Sequence, residues 1–366
     1  MKYNMQLIIR ADTSAQIGTG HIMRCLTLAN KASKRGHTVN FLTRTPDPFF
    51  VNKIKSYGHK MLILKNIDTV KQKYNYALDH SHWLDVSQEC DAHESKAIVK
   101  KLRPDWIIID HYALDQRWHK IIQPICENIM VIDDLADRRF DCKILLDQNL
   151  GSSRKDYQRW APGDCKFLIG PKYALLRQEF MDWRQFSLDR RPTKQVKKVL
   201  VTMGGADTAN YTLMVLSELA KSKFSKKLHF DVIVGSAYPH RTQLVEFCHQ
   251  SKIRIVIKVD VKNIAEIMAK SDLCIGAAGS TSWERCCLGL PTITMSIAKN
   301  QLKIIRALQE HEVAVVSSPT KIREDFEKIF DIGGGERLLS LSNNSKEMFD
   351  VLGAQRVVRT MEDICE

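Results

Sequence analysis

The sequence predicts an α/β protein of two doubly wound, Rossmann-like domains facing a cleft. Three observations predict it. The 366 residues exceed the roughly 250–300 at which a single core stops growing. Short uninterrupted apolar runs, such as Leu7–Ile9, Trp106–Ile109, Val199–Val201 and Leu273–Ile275, alternate with helical patterns. That alternation is the mark of parallel sheets covered on both faces. Several runs end in glycine-rich or acidic turns that open a helix, which puts polar groups at strand C-terminal ends, where open α/β sheets take their ligands.

The elements follow in order. A strand at 7–10 leads through Gly18-Thr19-Gly20 into a helix at 21–35, marked by Ile22, Leu26 and Ala29 and stopped by Gly36. Strands follow at 38–42, 61–64, 106–109, 129–132 and 144–146, with helices near 47–57, 87–102 and 115–124 between them. Residues 66–86 read as a polar stretch, helical at most over 74–78, with His80 and His82 in a solvated loop. The second half repeats the theme. Strands are expected at 199–201, 229–234, 253–257, 273–275, 291–295 and 314–316, with helices near 208–221, 240–250, 263–270, 282–288 and 299–310. The tail from Asp350 carries a helical apolar pattern and is expected to dock on the first domain. The domain boundaries read as 1–160 for an N-terminal domain, 161–197 for a connection, 198–349 for a C-terminal domain and 350–366 for the terminal helix.

Composition narrows the function classes. With 44% apolar and 27% charged residues the chain reads as an ordinary globular protein. No run approaches the roughly 20 apolar residues of a membrane span. No signal-peptide pattern precedes the first strand, so a cytoplasmic location is expected. The net charge of +13 suits an anionic partner. The basic residues are scattered and lack interleaved aromatics, which argues against nucleic acid. Ten cysteines include no C-x-x-C pair, so reduced thiols and no metal cluster are expected.

Three glycine-rich turns carry candidate chemistry. In Gly18-x-Gly20-His21, a helix start offers free N–H groups and positive dipole charge, suited to phosphate. A neutral imidazole placed there can take a proton, so His21 is a candidate general base. The alternative is a tight turn with a surface histidine. A dinucleotide site is disfavoured, since Met23 stands at the third glycine position and Asn40 where an acidic residue belongs. Gly204-Gly205-x-Asp207 can wrap a diphosphate or a bound sugar, or serve only as a strand-to-helix turn. In Gly279-Ser280-Thr281-Ser282-Trp283-Glu284, hydroxyls and helical N–H groups suit a diphosphate, and Glu284 suits ribose hydroxyls. Helix capping is the alternative, although Glu284 lies one residue too far from Ser280 for an ideal capping box. Asp110-His111-Tyr112 and Asp133-Asp134 end first-half strands. Tyr112 is the better candidate for touching substrate, and Asp133-Asp134 read as structural partners of Arg138-Arg139.

Taken together, these motifs resemble the UDP-sugar hydrolases of pseudaminic acid biosynthesis, which serve flagellin and other cell-surface glycans, and more broadly their spore-coat polysaccharide relatives on the GT-B fold. The resemblance spans roughly 6–330. It is carried by Arg10-Ala11-Asp12, Gly18-Thr19-Gly20-His21-x-x-Arg24-Cys25, Asp110-His111-Tyr112, Ile132-Asp133-Asp134 and Leu146-Asp147-Gln148-Asn149. Gly170-Pro171-x-Tyr173-Ala174-Leu175-Leu176-Arg177, Met203-Gly204-Gly205, Gly279 to Glu284 and Asn300-Gln301 complete it. The resemblance implies inverting, metal-independent hydrolysis of UDP-2,4-diacetamido-2,4,6-trideoxy-β-L-altropyranose at the sugar C1–O bond. Water is the acceptor, no cofactor is used, and His21 is the base. It also implies substrate contacts from Gly18, Gly20, Arg24, Tyr112, Gly204, Gly205, Gly279, Ser280, Thr281, Glu284 and Asn300. A glycosyltransferase using a UDP-sugar donor is the alternative on the same architecture.

Overall fold

A computed structural model describes residues 4–14, 17–65, 78–191, 195–298 and 301–366. They divide into two compact units, Met1–Leu176 with Leu352–Glu366, and Arg177–Val351.

The first unit runs β1 (Gln6–Ala11), α1 (Gly20–Lys34), β2 (Thr38–Thr43), α2 (Pro48–Ser56), β3 (Lys60–Ile63), α3 (Gln88–Leu102), β4 (Trp106–Asp110) and α4 (Gln116–Ile122). It continues with β5 (Ile129–Ile132), β6 (Ile144–Asp147), α5 (Arg154–Tyr157) and β7 (Lys166–Ile169). The strands form one parallel sheet in the order β3-β2-β1-β4-β5-β6-β7. Alternate residues of each strand supply the two faces. Leu7, Ile9, Trp106 and Ile108 join one buried cluster, while Ile8, Ile107 and Ile109 join the other. Local caps explain several helix starts. Asp47 accepts the N–H groups of Phe49 and Phe50 ahead of α2, Ser87 accepts that of Cys90, and Asp115 that of Arg117.

The second unit runs α6 (Gln178–Arg190), β8 (Lys198–Thr202), α7 (Tyr211–Ala220), β9 (His229–Val234), α8 (Arg241–Gln250), β10 (Arg254–Val259), α9 (Ile264–Ala269) and β11 (Leu273–Ala277). Then come α10 (Thr281–Cys287), β12 (Thr292–Met295), α11 (Leu302–Glu310), β13 (Val315–Val316), α12 (Ile322–Glu327) and α13 (Gly334–Met348). Its parallel sheet has the order β10-β9-β8-β11-β12-β13. The chain then returns to the first unit as α14 (Gly353–Cys365). Its Ala354, Val357, Val358 and Met361 pack with Ile22, Leu26 and Ala29 of α1. Glu362 accepts from Arg35 Nε at 2.9 Å and lies 2.8 Å from His37 Nε2.

The structure differs from the sequence reading at the unit boundary and in the later helices. Residues 161–176, expected in a connection, contain β7, which pairs with β6 and buries Leu168 in the first core. The unit boundary falls between Leu176 and Arg177 instead. Helices α12 and α13 were not expected, because their polar faces blur the apolar period; Ile322, Phe326, Leu338 and Leu341 nevertheless enter the second core. The helix suggested at 74–78 lies outside the described residues except for Leu78, which is in a bend. Among the described residues no helix is long and apolar enough to cross a membrane.

Candidate functional site

Both sheets have a topological switch point, where the strand order turns back on itself. In the first unit it lies between β1 and β4, with Ala11 beside Asp110 at the strand ends. The loop after β1 turns at Gly18, whose φ of +76° is one that side chains resist. Its N–H donates to Ser14 O at 2.8 Å, closing the turn that delivers the chain to α1. No side chain caps α1, and its first turn holds no acidic residue. Gly20 is exposed there.

His21, the second residue of α1, is buried, and its Nδ1 lies 2.5 Å from Asp110 Oδ1. An ionised carboxylate only accepts, so in the neutral imidazole the proton sits on Nδ1 and the lone pair on Nε2. Arg24, one turn further along α1, donates from Nε and Nη2 to the two Asp110 oxygens, each at 2.6 Å. The Cys25 thiol donates to Asp110 Oδ2 at 3.4 Å. Burial alone would push the Asp110 carboxyl up, but the Arg24 guanidinium and His21 outweigh it and hold it well below the usual carboxylate range. Asp110 is therefore a fixed anion. It fixes the direction of the His21 ring and, in the neutral imidazole, its tautomer.

Tyr112 packs edge-on against His21, with centroids 4.6 Å apart. Its hydroxyl donates to Asp134 Oδ1. Burial, and then the Asp134 charge, push that hydroxyl's pKa up, so it stays a donor. Asp134 also accepts from Arg24 Nη1 at 3.3 Å. Asp133 serves the turn after β5, accepting the N–H groups of Leu135 and Ala136 and pairing with Arg138 at 2.8 Å. Below these lies a buried ionic layer. Arg10 pairs with Asp12 at 2.7 Å and with Asp91 at 2.8 Å. His111 accepts the Ala113 N–H at Nδ1, while its Nε2 lies 3.2 Å from Asp12.

In the second unit the switch point lies between β8 and β11. The turn after β8 exposes Gly204, at a φ of +95°, and Gly205. Asp207, in the same motif, is buried and accepts the N–H groups of Tyr211 and Thr212, which ties this turn to the first turn of α7. Within β11, a Cβ on Gly276 would strike Thr202 O and the Arg285 guanidinium, so this glycine answers to packing. Ser280 and Thr281 are exposed, and no side-chain hydrogen bond caps α10. Glu284 accepts from Arg177 Nη2 at 2.9 Å, and burial pushes its pKa up. Among the described residues no group of three or more His, Cys, Asp or Glu side chains could hold a metal ion.

The expected residues thus fall into two groups, Gly18, Gly20, His21, Arg24 and Tyr112 in the first unit and Gly204, Gly205, Gly279, Ser280, Thr281 and Glu284 in the second. Asn300 lies outside the described residues. Arg24, expected to bind substrate, is hydrogen-bonded to Asp110 and Asp134. Sequence reasoning gave no role to Asp110 as partner of His21, to Arg177 as partner of Glu284, or to Trp83, whose indole stacks on Tyr112 at 5.4 Å. The Asp110 signal was available, since a doubly wound order sets the fourth strand against the first. Trp83 sits in a polar stretch without a motif and left no such signal.

Two parallel-sheet α/β units of this kind form the fold of GT-B glycosyltransferases. MurG of Acinetobacter baumannii superposes with a TM-score of 0.66 at 13% identity, over 99% of this chain and 100% of that one. The glycosyltransferase family 28 C-terminal domain matches residues 198–325.

Sequence relatives are more particular. The chain is 28% identical over 299 residues to the UDP-2,4-diacetamido-2,4,6-trideoxy-β-L-altropyranose hydrolase of Campylobacter jejuni, covering 81% of this chain and 93% of that protein. It is 27% identical over 301 residues to an uncharacterized protein of Methanocaldococcus jannaschii, covering 80% of this chain but spanning only 55% of that protein's length.

Proposed function

We propose that the protein hydrolyses UDP-2,4-diacetamido-2,4,6-trideoxy-β-L-altropyranose at the sugar C1–O bond, with inversion and without a metal. The observation that carries the proposal is the His21–Asp110–Arg24 constellation, a base with one nitrogen fixed and the other free to accept a proton. The likeness to the Campylobacter hydrolase supports the choice of substrate.

His21 Nε2 takes a proton from water as the water oxygen attacks C1 on the face opposite UDP. The C1–O bond breaks and its electrons stay on the UDP phosphate oxygen, so UDP needs no strong general acid. Asp110 stabilises the imidazolium. Arg24 is a positioning residue. Gly18 and Gly20 let backbone approach the sugar diphosphate, Tyr112 meets the sugar, and Asn300 is assigned to the sugar or phosphate. Gly279, Ser280, Thr281 and Glu284 hold the nucleotide, and Gly204 and Gly205 contact the diphosphate or the sugar. Asn300 has its role from the family resemblance alone.

Incubation with a panel of UDP-sugars in oxygen-18 water and chelator tests the reading. UDP release from the altrose-configured substrate is expected, with label in the sugar. Label in phosphate, or dependence on added metal, overturns the mechanism. A second reading, a glycosyltransferase with a hydroxyl acceptor, draws on the family 28 match. It predicts no stoichiometric UDP and free sugar when no acceptor is supplied.

A further inference from the structure

Four histidines and a tyrosine surround Trp83. The indole stacks on Tyr112 with ring planes 28° apart and meets His21 edge-on at 6.0 Å. His80 lies edge-on at 4.6 Å, and His82 and His111 at 6.3 and 6.4 Å. His80 also meets Tyr112 at 5.3 Å. The indole is no core residue, being half-buried where Trp106, Trp118 and Trp283 are at most 1% exposed.

The turn that presents it is built. Trp83 lies in a single 3₁₀ turn, Ser81–Trp83. Ser81 Oγ accepts the Leu78 N–H at 3.1 Å, and the Trp83 N–H donates to His80 O at 3.0 Å. Directly after it, Leu84 and Val86 are buried in the first unit's core with Leu42 and Ile109. Two apolar anchors thus hold a half-exposed aromatic ring beside the candidate base, at the strand ends. A solvated loop has no need of this.

We infer that Trp83, with His80 and Tyr112, forms an aromatic wall that receives the sugar ring beside His21. The inference rests on the hydrolase reading and deepens it. One face of a pyranose presents C–H groups polarised by neighbouring oxygens, which suit the electron-rich face of an aromatic ring. A 6-deoxy sugar with two acetamido methyl groups offers more apolar surface than a fully hydroxylated hexose. C1 gains positive charge in an oxocarbenium-like transition state, and a nearby aromatic face attracts it. Trp83 is a substrate-binding residue in this account, and it selects for deoxy, N-acylated sugars.

Two measurements test it. In kinetics with the UDP-linked diacetamido trideoxy sugar, Trp83→Leu keeps apolar bulk but loses the aromatic face. It is expected to raise KM about tenfold, the scale of one aromatic contact, with product inhibition by UDP unchanged. Trp83→Phe recovers most of the loss. In saturation-transfer NMR with the free diacetamido trideoxy sugar, irradiating the wild-type aromatic protons is expected to label one face of the sugar ring. The labelling is expected to weaken in Trp83→Leu. An unchanged KM in Trp83→Leu, an equal loss of UDP inhibition, or the same NMR labelling in both proteins overturns the wall. Absence of UDP release by the wild type overturns the hydrolase reading alone, because the NMR measurement needs no turnover.

Discussion

Asp110 Oδ1 lies 2.5 Å from His21 Nδ1, across the place where the first sheet reverses its strand order. The carboxylate is fully buried and takes hydrogen bonds from His21, Arg24 and Cys25. Such an anion holds the neutral His21 imidazole in one tautomer and one direction, as the proposed base requires. Asp110→Asn can turn an amide N–H toward Nδ1 and move the imidazole proton to Nε2. Turnover is expected to fall about 100-fold or more, the scale of a positioned base, with KM little changed. Initial rates beside a thermal scan check this; a folded variant keeping a third of wild-type turnover refutes the role.

Arg24 tests whether the same group is structural. Arg24→Met leaves the Asp110 carboxylate buried without its cation, which costs about 3–5 kcal/mol. Arg24→Lys keeps the charge without the two-point contact and falls between. Asp110 is held below the usual carboxylate range, so in the wild type its contribution is present at neutral pH. It is lost as pH falls through its depressed folded pKa. Denaturant titration at neutral pH reads the difference, and equal stability of Arg24→Met and wild type counts against the account.

Asp147 behaves in the opposite sense. Burial pushes its pKa up from 3.8 to about 6. The folded state then binds the proton more tightly than the unfolded chain, so stability falls as pH rises from 3.8 to about 6 and is level above that. The span corresponds to about 3 kcal/mol. Asp147→Asn carries no titrating group. Its stability relative to wild type is therefore expected to rise between pH 4 and 6, while it still accepts the Tyr157 hydroxyl. A difference independent of pH across that window refutes this.

The terminal helix separates packing from charge. Met361 is fully buried against α1, whereas Arg35 and Glu362 keep 27% and 18% of their side chains exposed. Met361→Ala is expected to cost about 2–5 kcal/mol, and Glu362→Gln no more than about 1 kcal/mol. A calorimetric scan resolving the first unit's transition compares them, and the reverse order shows that the ion pair holds the helix.

Glu284 carries the nucleotide assignment. Glu284→Gln loses a charged acceptor for the ribose hydroxyls, and UDP is expected to bind about tenfold or more weakly. Calorimetric titration of UDP into both proteins measures this, and equal affinity removes Glu284 from the nucleotide site.

The sheets were legible because their strands are short, apolar and buried on both faces. Runs such as Trp106–Ile109 have no other plausible place. Helices α12 and α13 were not, because only a few of their positions reach the core and no cap or period announces them. In the candidate site, the turn that delivers His21 to a helix start was legible from its glycines. The partners of Arg24 were not, because its place one turn beyond His21 does not reveal which carboxylates it meets. The polar stretch at 66–86 was the poorest guide. Its described end puts His80 and Trp83 against Tyr112, a contact that no local pattern signals.

By itself the sequence determined what is local. Apolar runs made strands, glycines made the turns at their ends, and the turn before α1 delivered a histidine to a helix start. The tertiary structure decided what is distant in the chain. It set β4 beside β1, and so brought Asp110 to His21 across 89 residues, with Arg24 between Asp110 and Asp134. The physical reason is that a strand's period encodes which faces are buried, while its neighbour is chosen by packing the whole sheet. A base needs both, the residue from the local pattern and the fixed anion from the strand order.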